Sequence, residues 1–203
     1  IALTGTGTAN YTIAGTAEGA GRITPKQLNL ALAGGARFDK TYDGNANVTQ
    51  TLTKGTHYTL TGFVGTEGTG IELSSATGKY TDKNAGADKN VRFDGLSLTG
   101  DGAGNYAPDK TTLTGTGTIT PRALTLGAVE AQTKTYDGNT AADASKFRAT
   151  LGNVVKGEEN SVSATATGAA YNDKNVARAN TVHYTGIALT GTGTANYTIA
   201  GTA

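Results

Sequence analysis

The stretch YTDKNAGADKNVRFDGLSLTGDGAGNY at residues 80–106 returns as YNDKNVARANTVHYTGIALTGTGTANY at residues 171–197, without a gap and with 12 of its 27 positions unchanged. Such a match has to be read before any single residue, because an internal repeat sets the architecture that every other feature must fit. Working outward, KTYDGN at residues 40–45 returns at 134–139, and I-T-P followed by a base stands at 23–26 and 119–122. Offsets of 91, 94 and 96 residues between these matches define a unit of about 95.

The two ends belong to the same scheme. Residues 1–17 and 187–203 are both IALTGTGTANYTIAGTA, and residues 1–11 also align on 96–106. The chain therefore divides into residues 1–25, the C-terminal part of a preceding repeat; 26–120, a complete repeat; and 121–203, a second repeat expected to lack its last strand. Residues 1–24 are expected to dock on a sheet edge of the same or a neighbouring molecule, or to be disordered. Ile1 has no preceding Met, so the segment is expected to come from a longer array.

Within a unit the apolar pattern has period two, as strands require. Leu28, Leu30 and Leu32 alternate with Asn29 and Ala31, and Leu124 and Leu126 repeat the pattern. Val91, Phe93, Leu96 and Leu98 flank Asp94-Gly95, which predicts a hairpin-like or bulged turn. Residues 159–167 predict a further alternating strand. Residues 141–151 are the exception, since Ala144, Phe147 and Leu151 have helical spacing. Short strands with turns between them predict an all-β fold of tandem β-sandwich modules, immunoglobulin-like or Greek-key, in an elongated array. The alternative is a β-grasp-like module with one short helix. Pro25 and Pro121 stand where one unit passes to the next and predict a short, stiff joint.

Composition agrees with strands and excludes several functions. The 38 Thr suit pleated surfaces and the 30 Gly suit turns and close approaches. An apolar fraction of 36% predicts thin cores. The formal charge is +1 with no basic stripe, which argues against nucleic acid. No run of 18 apolar residues occurs, so this segment inserts in no membrane. With no Cys there is no disulfide, thiolate metal site or Cys nucleophile, and nothing that opposes export.

K-T-Y-D-G, then Y-x-D-K-N, then G-L/I-x-L-T-G, then N-Y, closed by I-T-P-K/R, together resemble the YDG repeat of large bacterial exoproteins, which is related to the MBG repeat. Such repeats build the stalks of filamentous-haemagglutinin-like surface adhesins. The resemblance spans essentially the whole chain. It implies a β-rich structural spacer at the surface of a Gram-negative bacterium, projecting a distal binding region for adhesion and biofilm formation. Its implied partners are neighbouring repeats of the same chain, with a host or matrix glycan or protein at the tip. It implies no catalytic residue and no cofactor. A different reading makes each repeat itself a carbohydrate- or matrix-binding module.

The residues offer few sites of their own. Asp82, Asn84, Asp173 and Asn175 are the candidate calcium ligands, but a calcium site needs six or more oxygens and each unit supplies only part of one. The same Asp-Lys-Asn element, if buried beside a second carboxylate, has the groups for an isopeptide crosslink. His57 and His183 occupy inequivalent places, which opposes a shared metal or acid-base role. Alternating Thr in residues 4–8, 114–118 and 190–194 gives either solvated strands or short ice-binding rows. Tyr42-Asp43-Gly44 and Tyr136-Asp137-Gly138 read as turns with a Tyr packed beneath.

Overall fold

Leu28 and Leu30, the apolar positions of the first alternating run, are fully buried in the centre of a strand, and the rest of the first repeat is arranged around it. The structure is a computed structural model, and residues 1–200 are described. In the first repeat the strands are β1 (Lys26–Leu32), β2 (Lys40–Thr41), β3 (Tyr58–Thr61), β4 (Glu72–Leu73), β5 (Gly78–Tyr80), β6 (Gly86–Phe93), β7 (Leu98–Thr99), β8 (Tyr106–Pro108) and β9 (Leu113–Thr120). In the second they are β10 (Arg122–Val129), β11 (Ala149–Gly152), β12 (Ser163–Thr165), β13 (Gly168–Tyr171), β14 (Val182–Thr185), β15 (Ala188–Thr190) and β16 (Tyr197–Ile199). The fold is all-β. Its helical content among the described residues is four 3-10 turns of three residues each.

The two repeats share their pairing. β1 lies between β3, antiparallel, and β8, parallel, while β10 lies between β11 and β16 in the same senses. The β4–β7 pair corresponds to β12–β15, and β5–β6 to β13–β14. The first repeat goes further. There β6 also pairs with β9, and β9 pairs in parallel with β2, giving a four-stranded sheet in the order β2-β9-β6-β5. The position equivalent to β9 in the second repeat lies beyond the described residues, and Lys134 and Thr135, the counterparts of β2, are in no strand.

Among the described residues the first repeat has the larger core. Around β1, β6 and β9 the first repeat buries Phe38, Tyr58, Ile71, Val91, Phe93, Leu96 and Ile119. The second repeat buries Leu124, Phe147, Val162, Ala164 and Tyr197. Where β9 crosses the segment before β2, the backbones come too close for side chains. A Cβ on Gly115 would stand 2.8 Å from the Phe38 ring, and one on Gly117 only 1.8 Å from the Phe38 carbonyl oxygen. Glycine is required at both places for that reason.

Two local expectations change. Residues 141–151 form no helix. Asp143 caps a single turn at Ala144–Lys146 by accepting from the Ser145 N–H at 2.9 Å, and β11 follows at once. The helical spacing arises because Phe147 leaves that turn to pack edge-on to Tyr184, with ring centroids 4.9 Å apart. Asp94-Gly95 closes no hairpin either. It lies where the chain leaves the β6 sheet and enters the separate β4–β7 pair.

Residues 1–25 form no strand. Their only regular piece is a 3-10 turn at Thr8–Asn10, and Ile13 and Ile23 are exposed. The same turn recurs at Ala103–Asn105 and Thr194–Asn196, each followed by an extended Tyr. Local sequence alone therefore sets this turn, since the first copy makes it without packing.

Candidate functional site

The KTYDGN element is a loop wrapped around a buried ammonium. The Lys40 side chain is almost fully enclosed, and Nζ donates to Asp43 Oδ1 at 2.7 Å, to the Asn45 carbonyl at 2.8 Å and to the Asn47 carbonyl at 2.9 Å. It also lies over the Tyr80 ring, 5.4 Å from the centroid. Asp43 and Asn45 each accept from a backbone N–H two residues on, which completes consecutive Asx turns. Lys134 repeats the clamp on Asp137, Asn139 and Ala141, over Tyr171. The motif is thus a self-contained loop that presents its Tyr in a fixed direction.

In the first repeat that direction is the second repeat. Tyr42 is fully buried, and its hydroxyl donates to the Glu158 carboxylate at 2.7 Å. Tyr197 donates to the other Glu158 oxygen at 2.8 Å, and the two Tyr rings meet edge to face at 5.4 Å. Lys83 Nζ reaches Glu158 Oε1 at 2.7 Å. Beside this cluster the Ala85 N–H donates to Asn196 Oδ1 at 2.8 Å, and Asn196 Nδ2 donates to Asn84 Oδ1 at 3.2 Å. Gly44 faces Val155 so closely that a Cβ would stand 2.7 Å from Val155 Cγ1. These contacts join the repeats beside the covalent link, where β9 runs through Pro121 into β10 and the Tyr42 N–H donates to the Thr120 carbonyl.

The electrostatics follow from burial against donors. Burial pushes the Glu158 carboxyl up, but the hydrogen bonds from Lys83, Tyr42 and Tyr197 outweigh it and hold the group below its ordinary value. Burial and the bond to Glu158 push the Tyr197 hydroxyl up to about 12. The same two causes raise Tyr42. The hydrogen bond to Glu158 also raises Lys83. Around neutral pH one carboxylate therefore holds two neutral hydroxyls and one ammonium.

Of the sequence-derived candidates, Asp82 and Asn84 fall in this joint or beside it. Asp82 Oδ1 accepts from the Asn84 N–H at 2.8 Å and from Lys89 Nζ at 2.6 Å, while Asn84 serves Asn196 across the joint. In the second repeat Asp173 accepts from the Asn175 N–H and side-chain amide at 2.7 and 2.9 Å. Among the described residues no three His, Cys, Asp or Glu side chains converge on one point. Lys83 ends on Glu158, across the joint and half exposed, where the isopeptide reading needed it in a core. His57 stacks on Phe38 and accepts from the Thr53 N–H at 3.0 Å. His183 stands on β14, opposite Ala170.

Sequence reasoning missed Glu158, Asn196 and Val155. A signal was available, since V-x-x-E occurs at 64–67 and 155–158 at the same offset of 91 as the N-Y element. In the first repeat Glu67 accepts from the Tyr106 hydroxyl, and that hydroxyl accepts from the Val64 N–H, as their counterparts do. Each repeat thus carries an acceptor face, Val-x-x-Glu with Asn-Tyr, and a donor face, Tyr-Asp-Gly with Lys-Asn. One donor face and one acceptor face meet in the joint. The acceptor face with Glu67 lies beside residues 23–26, and the donor face with Tyr136, 61% exposed, ends on no acceptor face among the described residues.

The geometry defines an all-β tandem-repeat protein whose most elaborate polar cluster lies between its repeats. Comparison with protein families makes this specific: the model of the YDG domain matches residues 24–114 and again 120–203, and the chain belongs to the YDG domain family. Comparisons with curated proteins and with solved structures return no match.

Proposed function

We propose that the two repeats are β-sandwich stalk modules of a secreted or surface-anchored bacterial adhesin of filamentous-haemagglutinin-like type, holding a distal binding region away from the cell. The observation that carries this reading is the placement of the family's motif residues. Tyr42, Gly44, Lys83 and Asn84 are spent on fixing one repeat to the next, through Glu158, Val155 and Asn196. A module whose signature residues build its joint is suited to setting length and direction. The role is mechanical and asks for no catalytic residue and no cofactor.

Exchange of the repeats tests it. In the intact adhesin, unrelated rigid β modules of equal length should preserve adhesion, whereas deletion of the repeats with the tip retained should reduce it. Loss of adhesion on the exchange would favour the other reading, in which the repeats themselves bind a host or matrix glycan or protein.

A further inference from the structure

The four-stranded sheet of the first repeat carries a hollow of about 1050 Å³ on its outer face, over β5, β6 and β9. Two rows of side chains cross it, fixed by the strand register: Lys79, Arg92 and Thr114 in one, Thr81, Asn90 and Thr116 in the other. All six are exposed or half-buried, whereas Tyr80 and Val91, which stand between the rows on β5 and β6, are buried in the core behind.

Lys79 and Arg92 stand directly opposite each other, an arrangement of like charges that costs stability. The fold offsets it only through Asp94. Arg92 Nε donates to Asp94 Oδ1 at 2.7 Å, which leaves both terminal nitrogens of the guanidinium unspent, and Lys79 enters no ion pair among the described residues. Two cations against one carboxylate leave the hollow with one positive charge. In the second repeat the same register sets Ala170 against His183, so the paired cations belong to the first repeat and are not a demand of the fold.

We propose that this hollow binds an acidic polysaccharide, with one uronate carboxylate held between Lys79 and the terminal nitrogens of Arg92. Thr81, Asn90, Thr114 and Thr116 take the neighbouring sugar hydroxyls, since hydroxyl and amide groups both donate and accept. One excess charge suits a chain with single carboxylates spaced along it, whereas a nucleic acid or a densely sulfated chain calls for several cations. Tyr80, the aromatic ring bordering the hollow, is buried with its hydroxyl on the Phe38 carbonyl, so it offers no platform for stacking a neutral sugar. A peptide has no edge to join as a strand, because the free side of β5 is taken. There the Val48 N–H donates to the Gly78 carbonyl and the Tyr80 N–H to the Ala46 carbonyl, both at 2.8 Å. The site stands on the geometry of the first repeat alone. Its failure leaves the stalk reading intact, and exchange of the repeats tests that reading separately.

Calorimetric titration of the full chain with tetragalacturonate tests the proposal, beside maltotetraose as a neutral sugar and tetraglutamate as charge without sugar. Tetragalacturonate should bind, more weakly as salt rises, and the other two should not. Lys79→Ala and Arg92→Ala should each weaken it about tenfold, as the loss of one hydrogen bond between charged groups does. Lys79→Arg, which keeps the charge, should bind like the parent. Both positions are exposed, and either alanine relieves the like-charge pair, so thermal midpoints no lower than the parent's show that the fold is kept. The proposal is overturned by a chain that fails to bind tetragalacturonate at millimolar concentration, or that binds maltotetraose or tetraglutamate as well. Unchanged affinity after either alanine substitution overturns it too.

Discussion

The Tyr42 hydroxyl donates to Glu158, 116 positions further along the chain, at 2.7 Å, so the residue that opens the family's most recognisable motif ends on a carboxylate of the next domain. A Tyr placed so acts as a pin. Its ring fills the apolar part of the joint, and its hydroxyl sets where the neighbouring repeat must sit.

Glu158→Ala leaves the Tyr42 and Tyr197 hydroxyls without their acceptor in a partly buried site. A hydrogen bond to a charged group is worth about 1.5–3 kcal/mol, and the loss should fall in that range. The expected outcome is a lower urea midpoint for the second repeat and a wider spread of inter-repeat distances by small-angle scattering. Glu67→Ala, which withdraws an acceptor from Tyr106 alone, should cost less.

Acid should loosen the same contact. The folded Glu158 carboxyl lies below its ordinary value of 4.5, so the folded state binds fewer protons than the unfolded. The stability it contributes is complete above pH 4.5 and is lost as pH falls through the folded value. Asp82, Asp109, Asp137, Asp143 and Glu159 are lowered too, but stand more open to solvent. Urea midpoints measured against pH should therefore keep an acid limb in Glu158→Gln, with a smaller slope. At the other end, the raised Tyr197 adds stability that is complete below pH 10 and fades as pH rises through about 12.

Gly117→Ala should damage the first repeat severely. The new methyl carbon would stand 1.8 Å from the Phe38 carbonyl oxygen, so β9 must separate from the segment leading to β2. Overpacking of this kind costs about 1–3 kcal/mol or more, and a backbone obstacle belongs at the upper end. Gly104→Ala, with nothing within 4 Å, should stay within about 0.5 kcal/mol of the parent. Thermal unfolding of the two variants side by side checks the contrast.

Lys40→Met strips the YDG loop of its donor and leaves Asp43 and the Asn45 and Asn47 carbonyls unanswered. A cost of about 2–3 kcal/mol is expected, since unsatisfied groups carry their full desolvation penalty. Arginine should rescue poorly, because a planar fork does not fit acceptors gathered around one ammonium. Lys134→Met should cost less, as that side chain is 27% exposed against 3% for Lys40. Amide exchange in residues 43–47 reports the loop directly.

The β character, the unit length and the alternating strands were legible because alternation and self-similarity are properties of neighbouring letters. Leu28, Leu30, Val91 and Phe93 were all placed inward by that alternation, and they are buried. The role of Tyr42 was not legible. An Asp-Gly turn has a local reason to exist, and nothing near residue 42 says that the partner is at 158. The helical spacing around Ala144 misleads for the converse reason: it is local, while Phe147 answers to Tyr184 on β14. Asp82 and Asn84 looked like oxygen ligands because charge and amide chemistry suit a cation equally well, until Lys89 and Asn196 are seen to take them up.

The passage of β9 through Pro121 into β10 matters most when the chain is under tension. A pull entering at Lys26 and leaving at Thr120 travels along β1 and β9, each flanked by partners on both sides. Ladder bonds across such strands lie perpendicular to the load and share it in shear, so they must rupture together and not one after another. A repeat with β1 and β9 both in place would therefore carry force up to a sharp threshold before it yields.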